Sequence, residues 1–72
     1  MPRLPAVSPK KFITIIQTLG FFHSHTRGSH NYYIKERKIV CVAIHGRDIP
    51  KGTLMAMIKD IGLSRDEFIS LL

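Results

Sequence analysis

What most constrains the fold of this chain is the place where its hydrophobic period changes. Phe12, Ile15, Ile16 and Leu19 recur at i, i+3, i+4 and i+7, the spacing of one buried helix face, and Gly20 interrupts them. The segments that follow, "FFHSHT", "HNYYIK" and "KIVCVAIH", are short and rich in β-branched and aromatic residues. Helical spacing then returns with Leu54, Met57, Ile58 and Ile61. The chain therefore reads as helix, three strands, helix. An antiparallel sheet in this order can be covered by both main helices on one face, leaving the other open to solvent or a partner.

Capping chemistry sets the boundaries. "MPRLPAV", residues 1–7, reads as an irregular lead-in, and Ser8 before Pro9 reads as a helix start, so the first helix spans about residues 9–19. "RGS" is a turn and "ERK" a hairpin loop. "GRDIP" breaks the sheet, with Asp48 a candidate cap and Pro50 in a first turn, and Gly62 ends the second helix. Ser64 and Glu67 match the capping box of a short last helix whose Phe68, Leu71 and Leu72 are expected to pack back on the core. The predicted fold is α+β, α-β-β-β-α with a terminal helical appendage, similar in layout to a double-stranded RNA-binding domain.

At 72 residues the expectation is a single domain over residues 1–72, since so short a chain buries only about 60% of its unfolded surface. No deep cofactor pocket, and no cofactor, is expected. No apolar run approaches the ~20 residues of a bilayer span and no signal-peptide pattern is present, so a soluble, cytoplasmic protein without a membrane partner is expected. Cys41, the single cysteine, reads as a small buried hydrophobe. The net charge of +6 is uneven. Residues 1–47 hold Arg3, Lys10, Lys11, Arg27, Lys35, Arg37, Lys38 and Arg47 against Glu36 alone, and such a field favours a polyanion, most simply nucleic acid.

Four histidines carry the candidate chemistry. His30 follows a glycine turn and starts a strand, a place for a reactive group or for an ordinary polar strand end. His23 and His25 form an H-x-H that can put both rings on one side of a strand, but no Asp, Glu or second Cys lies near to complete a metal site, so no metal is expected. His45 ends the third strand and lies near His30 if the two strands pair. Tyr32 and Tyr33 point to opposite faces, one to the core and one outward, where it can stack on a base or meet a partner protein. Lys10, Lys11, Arg37 and Lys38 are candidate contacts to an RNA backbone, whereas Met55 and Met57 read as packing.

The succession "FITIIQTLGF", "GSH", a strand ending "VAIHG" and "IPKGTLMAMIKDIGLSRDEFISLL" resembles the HicA family of small toxins, the mRNA-cleaving halves of toxin–antitoxin pairs. The likeness runs from about Ser8 to Leu72. Its most specific parts are G-S-H at residues 28–30 and G-T-L with I-x-x-x-G-L at residues 52–63. Ala43 stands where the family usually has Pro, and the "ERK" loop is shorter than is common. The resemblance implies a fold like a double-stranded RNA-binding domain, a metal-independent endoribonuclease with His30 as catalytic residue, and a HicB-type antitoxin that binds the toxin and covers this histidine.

RNA can be cut without a metal because its own 2′-hydroxyl is a nucleophile, and an imidazole can take or give the protons near neutral pH. Around such a histidine, Gly28 would let a phosphate approach the backbone, Ser29 would donate to a non-bridging oxygen, and Arg27 and Lys35 would supply positive charge; His45 is a possible second acid or base. Two readings without catalysis remain: a double-stranded RNA-binding module, and an adaptor that binds only protein.

Overall fold

The computed structural model describes residues 3–72. In chain order it contains α1 (Pro9–Thr18), β1 (Phe22–Arg27), β2 (His30–Lys35), β3 (Lys38–Ala43), α2 (Lys51–Asp60) and α3 (Arg65–Ser70). The order read from the sequence is the order observed. Residues 1 and 2 of the lead-in lie outside the described residues. The rest of it is irregular but packed: Leu4 and Val7 are buried, and the Ile49 amide donates to the Val7 carbonyl at 2.8 Å.

α1 starts where its cap chemistry permits. Ser8 is extended, its hydroxyl accepts from the Lys11 amide at 3.1 Å, and Pro9 occupies a first-turn position that needs no N–H. Its Phe12, Ile15 and Ile16 are buried, as are Leu54, Met57 and Ile58 of α2. α2 corrects the reading of its start. Pro50 is its N-cap, with no side-chain cap bond, and the helix begins at Lys51. Asp48 stands too far upstream for its carboxylate to meet the second or third helical amide, so it caps nothing.

The three strands form one antiparallel sheet in the order β1-β2-β3. Tyr33 pairs with Val40 and Asn31 with Val42, and the burial of Tyr33, Val40 and Val42 marks the face that meets the core. Tyr33 is therefore the core tyrosine. Tyr32 lies on the outer face, half-buried, its ring stacked on His25 at 4.4 Å between centroids. Both α1 and α2 pack against β3. The β2–β3 connection is tighter than "ERK", because Lys38 already belongs to β3 and Glu36 takes a φ of 55°.

A break in register between His23 and His25 overturns the idea that H-x-H puts both rings on one side. His23 pairs with Tyr33 and His25 with Tyr32, two adjacent residues of β2, so the rings fall on opposite faces.

The capping box of α3 is formed on both sides. The Ser64 hydroxyl accepts from the Glu67 amide at 3.1 Å, and the Glu67 carboxylate accepts from the Ser64 amide at 2.8 Å. The Ser64 amide, with its hydroxyl second, holds the Glu67 carboxyl below its ordinary range. Phe68 packs back as expected, fully buried with its ring 5.6 Å from that of Phe12. Leu71 and Leu72 do not: both are exposed, because α3 ends at Ser70 and Ile69 is the neighbour that reaches the core.

Candidate functional site

The turn between β1 and β2 fixes where His30 stands. Arg27 and His30 face each other across a two-residue connection, Gly28–Ser29, and of these two only Gly28 has a positive φ, 61°. Glycine at the first central position is what a hairpin turn of this length favours, because it fits the right-handed twist of the flanking strands. Ser29 is then held from two directions. Its carbonyl accepts from the Ile44 amide at 2.9 Å and from the Asn31 side chain at 3.4 Å. Asn31 is in turn met by the Thr26 hydroxyl at 2.8 Å, which lies 2.7 Å from the His23 ring. His30 itself pairs with Ala43 on the other side.

The backbone of His30 is thus tied to both neighbouring strands, while its side chain is exposed and has no hydrogen-bond or ion-pair partner among the described residues. The ring borders a surface groove of about 470 Å³ whose other walls include Cys41, Ala43, His45, Arg47 and Thr53. Cys41, expected to be buried, is half-buried on this wall. A smaller hollow of about 190 Å³ adjoins the start of α1 and is lined by Ser8, Lys10, His45, Gly46 and Arg47. His45, Arg47 and the carboxylate-bearing Asp48 border both spaces. Two imidazoles, a guanidinium and the basic first turn of α1 therefore converge on one end of the molecule against the carboxylate of Asp48, a net positive arrangement suited to a phosphate.

The other candidates divide cleanly. Arg27 is the direct cross-strand neighbour of His30, and Gly28 and Ser29 form its turn. Lys10 borders the adjoining hollow, whereas Lys11 is exposed on the same helical turn and lines neither space. Lys35 is not brought to His30. It sits at the far end of β2, on the opposite face, and its ammonium donates to the Leu19 carbonyl at the end of α1 at 2.5 Å. Lys38 pairs with Lys35, its aliphatic chain running close to Gly62 at the end of α2. Arg37 is exposed in that distal turn. Arg47 is the residue the sequence reading counted only as charge. Its signal was its place two residues after His45, where the chain leaves the sheet.

Among the described residues no group of three or more His, Cys, Asp or Glu is arranged to hold a metal ion, and no helix is long and apolar enough to cross a membrane. The fold and the site define a small basic α+β protein with an exposed histidine presented from a glycine turn. A family model described as HicA toxin of bacterial toxin–antitoxin matches residues 9–63, and the chain belongs to that family. It is a HicA toxin of a toxin–antitoxin system, from a family that generally cleaves mRNA. Membership implies an antitoxin partner. A search of curated proteins finds no match.

Proposed function

We propose that this toxin is a metal-independent endoribonuclease that cuts mRNA with His30 as general acid or base, and that a HicB-type antitoxin silences it by covering this residue. The observation that supports the reading is the unpaired, exposed His30 ring, carried on a backbone tied to two strands and sharing one groove with His45 and Arg47. A positioned general acid or base contributes about 10²- to 10⁴-fold in rate, provided its geometry is fixed before the substrate arrives.

In this reading the ribose 2′-oxygen attacks phosphorus while one imidazole takes its proton. The bond from phosphorus to the 5′-oxygen breaks as a protonated imidazole donates to the leaving oxygen. The products are a 2′,3′-cyclic phosphate and a 5′-hydroxyl. His30 performs one transfer and His45 is the candidate for the other. Arg27, Arg47 and Lys10 offset charge on the phosphate, the Ser29 hydroxyl donates to a non-bridging oxygen, and Gly28 presents no side chain to block approach. Lys11, Arg37 and Lys38 are left as general contacts along the RNA backbone, weak individually.

Expression in a host cell tests the assignment. Wild type is expected to arrest growth, His30→Ala to leave it unaffected, and co-expression of the cognate antitoxin to relieve the arrest. Arrest of equal strength by both forms refutes the role of His30.

A further inference from the structure

The groove beside His30 has one wall that strand cleavage does not use. α2 and its cap contribute Pro50, Thr53, Met57 and Asp60, spaced i, i+3, i+7 and i+10, so a single helix face runs along the groove. Opposite stand Cys41 and Ala43, alternate residues on one face of β3. The long walls are mostly apolar, and the helical one ends at a carboxylate. At about 470 Å³ the space falls within the ~300–1,000 Å³ of small-ligand sites.

Asp60 is exposed and does little for the helix that carries it. It is the last residue of α2, where a negative charge meets the negative end of the helix dipole, and it makes no ion pair among the described residues. An exposed carboxylate without a protein partner, at the end of an apolar groove, is open to the donors of a ligand.

We propose that this groove recognises a base, with Asp60 accepting hydrogen bonds from a guanine of the RNA strand whose phosphate lies at His30. The proposal rests on the ribonuclease reading for its choice of ligand. The pairing edge of guanine presents two adjacent donors, N1–H and N2–H, which match the two oxygens of a carboxylate. Adenine and cytosine present one donor beside an acceptor, and uracil one donor between two acceptors, and a carboxylate repels each acceptor. Ala43 and Ala56, both on the groove and neither in the core, provide apolar surface for the faces of the ring.

Cys41 makes the occupancy of the groove measurable, because it is the single cysteine, half-buried, and on the wall. The rate of Cys41 alkylation by N-ethylmaleimide is measured on the full chain with increasing GMP or UMP. GMP is expected to give half-protection at about tenfold lower concentration than UMP, the discrimination of one bidentate pair, and Asp60→Asn to abolish the difference. Thermal melting of Asp60→Asn checks that it is folded, and relief of the dipole conflict predicts a melting point no lower than wild type. Equal protection by the two nucleotides, no protection by either, or an unchanged preference in Asp60→Asn overturns the proposal. The assay involves no cleavage, so selective GMP protection in a protein that cuts no RNA would retain the base site and remove the ribonuclease reading.

Discussion

Replacing Gly28 by alanine isolates the backbone of the turn that presents His30. Gly28 has a φ of 61°, and a Cβ built there meets nothing within 4 Å. The cost of the substitution is therefore conformational, with no clash and no lost packing. Left-handed backbone costs an L-residue about 1–2 kcal/mol, and the lower entropy of the unfolded alanine chain returns about 0.4–1 kcal/mol. A net loss of about 1 kcal/mol follows. For a chain of 72 residues, 1 kcal/mol corresponds to a fall in Tm of roughly 4–8 °C. Gly52→Ala is the control. That site is equally open, has no positive φ and lies inside α2, so alanine there is expected to raise stability by up to about 1 kcal/mol. Thermal melting followed by circular dichroism compares the three proteins. A Gly28→Ala variant that melts with the wild type, while Gly52→Ala behaves as expected, would refute the left-handed turn and with it this account of how His30 is held.

Lys35→Ala is expected to lower stability by about 1 kcal/mol, through the Leu19 carbonyl it leaves without its donor, and to leave RNA cleavage unchanged; a melt and a cleavage assay on the same preparation check both. Phe68→Ala removes a fully buried ring packed at a tilt against Phe12 and should cost about 3–5 kcal/mol, much of what a domain of this size has, so denaturant unfolding should find it barely folded. The Glu67 carboxyl is held below its ordinary range, so the folded state binds its proton less readily than the unfolded state. The stability it adds is present above the ordinary carboxyl range and lost as pH falls through the lowered one, and Glu67→Gln should flatten that acid limb in melts taken across pH.

Local chemistry makes most of the fold legible in the sequence. Ser8–Pro9 and the Ser64–Glu67 box specify helix starts through bonds within one turn, and both form as read. The β-branched and aromatic runs, separated by the short "RGS" and "ERK" turns, pointed to three antiparallel strands, and these form. What was not legible depends on partners distant in sequence. The register break at His23 and His25 exists only relative to β2, and the start of α2 depends on where the chain from β3 meets the core. The groove needs α2 to lie along β3, so the joint placement of His30, His45, Arg47 and Asp60 has no local signature. Lys35 is a different case. In a regular strand, residues an odd number apart lie on opposite faces, so the separation of His30 and Lys35 already set them apart. Family resemblance singled out His30; the structure adds an exposed, unpaired ring on a backbone tied to two strands.

In the proposed mechanism the His30 ring performs a proton transfer in RNA cleavage. Its most direct test is cleavage of single-stranded mRNA by purified toxin in EDTA, with the ends of the products identified. Wild type is expected to leave 2′,3′-cyclic phosphate and 5′-hydroxyl ends. His30→Ala is expected to bind the same RNA with the same salt dependence while cutting about 10²- to 10⁴-fold more slowly. A His30→Ala protein that cuts at the wild-type rate would show that the ring carries no proton in the reaction.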